Sequence, residues 1–283
     1  MRARTQILNQ FEMLSPALQK AARFLVDHPN EVVVLSMRAV ATKAGAQPAT
    51  LVRLAQSLGY KGWGELKEAF TQDLGLNSES YGSRARSLAK KSTHETWLKE
   101  LITAQTANLA YTEKYCGEAL HQAARLLQQS ETVYVAGFRA SLPVAYTLVY
   151  GYRLFRNSVQ LIDGQNVGLE MQLRPIGKND VVVVISFSPY SSEMLAIIQH
   201  AKRRGARLLA MTDSDASPLA LAADHTILFS IDSPSFFPSV TSAVSLAEAL
   251  LGIMVAEGGS KAVANIDRSE QELVELGGYI KAP

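Results

Sequence analysis

The sequence predicts an all-α N-terminal domain joined to an α/β domain built on a five-stranded, doubly wound parallel sheet. Three observations carry this. Up to about residue 130 apolar residues recur at helical spacing. From Glu131 onward, short runs rich in Val, Ile and Leu alternate with amphipathic stretches, the pattern of strands buried on both faces and linked by helices. Charge divides at the same place. Residues 1–130 hold 16 Lys and Arg against 11 Asp and Glu, a net +5, while residues 131–283 hold 12 against 15, a net −3. A basic front and an acidic back suit a nucleic-acid-binding module tied to a domain of another kind.

A chain of 283 residues has room for two domains. With 47% hydrophobic and 19% charged residues it has a globular composition, which excludes disorder. No unbroken apolar stretch is longer than the strand-sized run from Val181 to Ile185, far short of the roughly 18 residues of a membrane span. The N-terminus carries no apolar signal core. A cytoplasmic, membrane-free protein is expected. The one cysteine, Cys116, excludes an intramolecular disulfide and reads as a core residue of an apolar helix.

In order along the chain, Ser15-Pro16 opens a first helix as N-cap and first-turn proline. Leu18, Ala21, Ala22 and Leu25 form its stripe, and Pro29 stops it. A short apolar turn at 31–35 leads to a helix over 37–44 capped by Ser36. Gly45 breaks that helix, and Pro48 starts another that ends near Ser57. Trp63, Leu66 and Phe70 share the face of a further helix. Trp63 reads as core, or as a cover for a nucleic-acid backbone. Residues 77–92, rich in Ser, Gly and Arg, are the linker candidate. A long helix is expected from His94 to about Tyr115 and another over 118–127. Strands are expected at 132–136, 158–162, 180–185, 207–211 and 225–230, with helices at 142–155, 166–173, 192–204, 218–222 and 240–256. The resulting partition is 1–76, a connecting region 77–130, an α/β domain 131–260 and a tail 261–283.

The segment 38–56 has helix-turn-helix spacing. Two helices that cross closely need a small residue at the crossing, supplied by Ala41. The turn needs a positive-φ residue four positions later, supplied by Gly45. Leu51, Leu54, Ala55 and Leu58 form the buried stripe of the second helix. Its other face carries Gln47, Thr50, Arg53 and Gln56, side chains that reach base edges and phosphates in a major groove. Arg53 is the leading candidate for a base contact. Lys43 and Lys61 are candidates for phosphate contacts. An ordinary helical hairpin with a glycine turn has the same spacing.

Two serine-bearing loops follow expected strands: Gly137-Phe138-Arg139-Ala140-Ser141 and Ser186-Phe187-Ser188-Pro189-Tyr190-Ser191-Ser192-Glu193. Each leads into a helix, whose N-terminus favours an anion, and hydroxyls add donors without bulk. Arg139, Ser141, Ser186, Ser188 and Ser191 are therefore the candidate residues of a phosphate cradle, although Ser141 and Ser191 also read as plain helix caps. Asp213 and Asp215 sit in a turn where Asp caps locally. Phe236 and Phe237, in a run from Ser233 to Ser239, suit a pocket lining, a dimer contact or a buried loop equally. No catalytic set, metal site or cofactor is expected. Glu170, Glu193 and Glu248 have no evident acid or nucleophile to work with.

Both motifs resemble the RpiR family of bacterial regulators, which pair an N-terminal helix-turn-helix with a C-terminal sugar isomerase (SIS) domain. The resemblance spans almost the whole chain. It rests on residues 35–46, on 49–63 with Arg53-Leu54-Ala55-x-x-Leu58-Gly59-Tyr60-Lys61-Gly62 within them, on Glu65-Leu66-Lys67, on the two serine loops and on 210–218. It implies a flavodoxin-like sheet, a double-stranded DNA operator, and a homodimer or homotetramer. It also implies a small phosphorylated, sugar-like effector held at Ser141, Ser186, Ser188 and Ser191. Three positions depart from the family pattern. Arg139 replaces a glycine of the first loop, and either reaches the anion itself or closes off the usual pose. Pro189-Tyr190 replaces a glycine and a polar residue, and Gln47 replaces a capping serine. The rival expectations are a phosphosugar isomerase or lyase with an accessory helical domain, and a dimerisation module with an empty sensor site.

Overall fold

In the computed structural model, residues 2–73, 80–90, 96–165 and 168–278 are described. Six helices make the N-terminal bundle: α1 (Arg2–Gln10), α2 (Pro16–Asp27), α3 (Pro29–Val34), α4 (Met37–Lys43), α5 (Pro48–Ser57) and α6 (Trp63–Asp73). Their core gathers Leu25, Val40, Leu51, Leu54, Leu66 and Phe70. Trp63 joins this core, which settles its two readings in favour of packing. Pro29 ends α2 as expected but also stands as the first residue of α3, so the apolar turn is a short helix. Ser15 occupies the N-cap of α2 without a side-chain cap bond, whereas Ser36 accepts from the Ala39 amide at 3.3 Å.

Helix α1, which has few apolar residues, has no counterpart among the expected elements. It is held by tertiary contacts. Ala3 and Ile7 are buried, the Ala3 amide donates to Asp73 at 2.7 Å, and the Tyr60 hydroxyl donates to Gln6 Oε1 at 2.9 Å.

Part of the linker candidate is helical: α7 (Tyr81–Ala89) is capped by Ser80, which accepts from the Ser83 amide at 3.2 Å. Tertiary contact again overrides a weak local signal. Tyr81 meets the ring of Phe237 at 5.7 Å, and Arg84 donates to the Ser233 carbonyl at 2.7 Å. The rest of the linker candidate, 77–79 and 91–92, lies outside the described residues, as does the expected helix start at His94. From Trp97 a single helix, α8 (Trp97–Gln128), replaces the two expected. Gly117, which lies between the two expected helices, costs about 1 kcal/mol within a helix. That is less than the packing of buried Cys116, Leu120, Ala123 and Leu127 on either side of it.

The α/β domain contains β1 (Val133–Gly137), α9 (Leu142–Arg153), β2 (Val159–Ile162), α10 (Leu169–Leu173), β3 (Val181–Ile185), α11 (Glu193–Arg204), β4 (Arg207–Thr212), β5 (His225–Leu228) and α12 (Thr241–Glu275). The sheet is wholly parallel in the order β2-β1-β3-β4-β5. Alternate residues of β1 explain the burial of both faces. Val133 and Val135 pack with α8, α9 and α12, while Tyr134 and Ala136 pack with α11. Arg156 locks the bottom edge, donating to the Leu127 carbonyl at 2.7 Å, the Glu131 carbonyl at 3.0 Å and the Ser158 hydroxyl at 2.8 Å. Cys116 is a core residue whose thiol donates to the Leu228 carbonyl at 2.8 Å, and burial raises its pKa.

Three expected elements change extent. The last helix runs past Ala256 to Glu275, through a kink at Gly259 (φ 56°, ψ −142°), so residues 261–275 are helix and not tail. The 218–222 helix shrinks to one 3-10 turn at Ala220–Ala222. The helix expected from Asn166 is described only from Leu169, because 166 and 167 lie outside the described residues. Although α12 is long and apolar enough to pass for a membrane span, its Ala243, Leu246, Ala247, Leu250 and Met254 belong to the core of the sheet.

Candidate functional site

Helices α4 and α5 meet through a tight turn. Ala41 is buried at the crossing, and its carbonyl accepts from the Ala46 amide at 2.9 Å. Gly45 has φ +60°, and a Cβ there would lie 2.6 Å from Lys20 Nζ, the group that donates to the Gly45 carbonyl at 3.0 Å. Glycine is needed for the backbone geometry, since the flexible Lys20 side chain can move aside but a positive φ stays strained for other residues. Leu51, Leu54, Ala55 and Leu58 are all buried. That burial leaves Gln47, Arg53 and Gln56 exposed along α5, with Thr50 half-buried between them. Lys61 is exposed in the following turn, whose Lys61 amide donates to Glu65 at 2.5 Å. Lys43 is the exception among the candidates, because its ammonium is paired with Glu31 at 2.5 Å.

The strand order places a crevice between the carboxyl ends of β1 and β3. From these neighbours the chain departs in opposite directions, and sheets of this order bind ligands there. Both serine loops leave the sheet at this point. Gly137 permits the first to fold tightly, since a Cβ would lie 2.5 Å from Ala145 Cβ and 2.9 Å from the Ser141 carbonyl oxygen. Arg139 adopts φ +51°, the one positive-φ non-glycine among the described residues. This conformation carries a strain of about 1–2 kcal/mol.

That strain turns Arg139 onto the second loop. Its guanidinium donates to Ser191 Oγ at 2.5 Å and, in bidentate fashion, to the two Glu193 oxygens at 2.8 and 2.7 Å. Ser191 in turn donates to Glu193 at 2.7 Å. The fork of the Arg139 guanidinium, with the Ser191 hydroxyl, holds the Glu193 carboxyl down at about 2.

The remaining serines are brought close but aimed differently. Ser141 Oγ turns back on its own loop, accepting from the Phe138 amide at 3.2 Å and donating to its carbonyl at 3.0 Å. Ser186 Oγ accepts from the Ser191 amide at 3.2 Å. The Ser188 amide donates to Asp213 at 3.2 Å, and the Tyr190 hydroxyl donates to the same carboxylate at 2.8 Å. Burial raises the pKa of Asp213, and burial beside Asp213 raises that of Tyr190. Asp213 is thus more than a local cap. It clamps the second loop from behind. Tyr190 is nearly buried, and its hydroxyl faces this clamp.

Beyond the clamp lies a cavity of about 940 Å³ between the two domains. Ser188, Pro189 and Tyr190 line one side of it, and Val33, Val34 and Lys67 of the helical bundle line another. Val33 and Val34 also pack against the core of the sheet. Lys67 is half-buried there, donates to the Leu35 carbonyl at 2.8 Å, and has its pKa lowered by burial. Phe236 and Phe237 are partly exposed and pack beside α7, so they do not form a buried loop. Sequence reasoning missed the partnership of Arg139 with Glu193. Its one visible trace is an acidic residue in the first turn after a serine loop.

Fold and site define a class: a helix-turn-helix domain carried on a SIS domain. Residues 1–76 match the model of the helix-turn-helix domain, rpiR family, and residues 126–252 match the SIS domain model. Together the two matches take in well over half of the chain, and the chain belongs to the RpiR family of helix-turn-helix transcriptional regulators. It is 24% identical over 276 residues to the HTH-type transcriptional regulator HexR of Escherichia coli, covering 95% of this chain and 93% of that protein. Among solved structures it is similar to the sugar isomerase domain of an RpiR transcription factor from Sphaerobacter thermophilus. The TM-score is 0.60 at 22% identity, over 62% of this chain and 99% of that one. It is also similar to the Vibrio vulnificus NanR protein complexed with ManNAc-6P. There the TM-score is 0.57 at 18% identity, over 97% and 98% of the two chains.

Proposed function

We propose that this regulator's grip on DNA is set by a small phosphorylated, sugar-like metabolite held at the Arg139 and Ser186–Ser191 loops. The observation that carries the reading is that one loop serves both domains. Ser186 and Ser191 are bonded to each other, and Ser191 to Arg139, beside the strand switch, while Ser188, Pro189 and Tyr190 of the same loop line the cavity shared with the helical bundle. A ligand changes DNA affinity only if it binds one arrangement of the two domains better than another, and this loop is where such a difference arises.

Arg53, Gln47, Thr50 and Gln56 read bases, and Lys61 meets phosphate. Lys43 does so only on leaving Glu31. A single recognition helix covers few base pairs, so a homodimer or homotetramer presents two half-sites to an operator. The chain acts without catalysis: the curated relative above is a transcriptional regulator, and two carboxylates beside the serine loops, Glu193 and Asp213, are each engaged by donors of neighbouring loops. The cytoplasm is where such a DNA-binding protein works.

The test is a fluorescence-anisotropy titration of purified protein on duplexes selected from genomic DNA, with and without a panel of sugar phosphates. One member of the panel is expected to shift operator affinity. Replacing Arg53 with Ala should weaken operator binding by roughly 1–3 kcal/mol. Turnover of a sugar phosphate, with no effect of any on DNA affinity, would overturn the reading in favour of an isomerase or lyase.

A further inference from the structure

Several donors of the second loop, and the Arg139 guanidinium of the first, are answered by the protein's own acceptors. The Ser188 amide goes to Asp213, the Ser191 amide to Ser186 Oγ, and the Ser191 hydroxyl and the Arg139 guanidinium both go to Glu193. Of these acceptors, Glu193 is the carboxylate at the mouth of the crevice. Its side chain keeps 28% of its surface exposed, and the Arg139 side chain keeps 65%. A bidentate carboxylate on a guanidinium fork, with a serine hydroxyl completing the set, is the geometry by which a phosphate is gripped.

Arg139 holds this position at the expense of a left-handed backbone that glycine would adopt without strain. Simple packing does not require it, because most of the side chain is solvent-exposed. The strained conformation places a cation at the strand switch, and Glu193 occupies that cation.

We infer that Glu193 is a built-in stand-in for the effector's phosphate. Binding of a phosphorylated ligand exchanges Arg139 and Ser191 from the Glu193 carboxylate to the ligand's anion. Glu193 is thereby an affinity- and specificity-determining residue of the site. Any anion that takes Arg139 has to compete with the Glu193 carboxylate, so a phosphate dianion displaces it better than a singly charged anion does. The exchange also frees Ser191, which lies one residue from Tyr190 in the loop that lines the interdomain cavity. No covalent step is involved. This inference rests on the anion-binding reading proposed above.

The experiment measures binding of inorganic phosphate, by isothermal titration and 31P line broadening, to the full-length protein and to Glu193→Gln. Glutamine keeps the side-chain length but gives Arg139 a neutral partner and removes the charge that repels an incoming anion. The expected result is binding about tenfold tighter in Glu193→Gln. Arg139→Gln should abolish phosphate binding both in the wild type and in the Glu193→Gln background, and thermal melts of each variant establish that it is folded. Should Glu193→Gln bind phosphate no better than the wild type, Glu193 is not a competitor, and the inference falls while the anion site stands. Should neither protein bind phosphate, the anion-binding reading falls and takes the inference with it. Should Arg139→Gln bind phosphate as well as the wild type, the anion does not use Arg139, and the inference again fails.

Discussion

The recognition helix and the serine loops treat their polar groups in opposite ways. On α5, Gln47, Arg53 and Gln56 stand exposed on a helix whose other face is anchored by Leu51, Leu54 and Ala55. In the loops Ser141, Ser186, Ser191, Arg139 and Glu193 are bonded to one another or to nearby backbone. The reader is set out in advance, on regular secondary structure that needs no ligand. The sensor is closed on itself, so any ligand competes with contacts already made. Under the proposed function, this asymmetry would keep the DNA-reading geometry fixed while the response is tuned by how hard the loops are to open.

The comparison is broken most severely by removing what holds the reader rigid. Leu54→Ala deletes a fully buried side chain of the bundle and should cost that domain roughly 2–5 kcal/mol. Operator binding should be lost, while far-UV and near-UV signals of the sheet domain persist to higher denaturant than those of the bundle. A single unchanged transition would show the bundle to be less dependent on α5 packing than its burial implies.

A smaller effect is expected on the sensor side. Asp213→Ala takes the acceptor from the Tyr190 hydroxyl and the Ser188 amide, two groups of low exposure. Leaving them unsatisfied should cost about 1–3 kcal/mol. The loop should also loosen, seen as faster amide exchange at residues 188–191, with operator affinity retained but ligand response reduced. Unaltered exchange there would mean that Asp213 is only a turn residue.

Much of this division was legible in the sequence. The helix-turn-helix was readable because Ala41, Gly45 and the 51-54-55-58 stripe meet local geometric demands. The sheet was readable because its strands are short runs rich in Val, Ile and Leu, β3 being an unbroken one. What escaped was settled by distant contacts. Helix α1 depends on Asp73 and Tyr60, α7 on the 233–237 loop, and the continuity of α8 through Gly117 on burial against β5 and α12. The site followed the same rule. The serines and Arg139 were visible as donors, but their acceptors were not. Glu193 lies 54 positions from Arg139, and no spacing rule connects them.

The gentlest test sharpens the comparison by titrating the sensor alone. Glu193 has its carboxyl lowered to about 2 in the folded chain, below the value of about 4.3 of an unfolded glutamate. The folded state therefore favours the ionised form. The stabilisation is complete above the unfolded value and is lost as pH falls from about 4.3 toward 2. The urea midpoint of wild type relative to Glu193→Gln should accordingly be constant from pH 7 to 5 and should narrow between pH 4.3 and 3. The difference should shrink in 1 M salt as well, because Arg139 is largely exposed. DNA-free measurements suffice, and Arg53→Ala should leave the whole profile unchanged, its side chain lying on the other domain. A wild-type-to-variant difference independent of both pH and salt would mean that the Arg139–Glu193 contact is not electrostatic in origin, and the closed state of the sensor would need another cause.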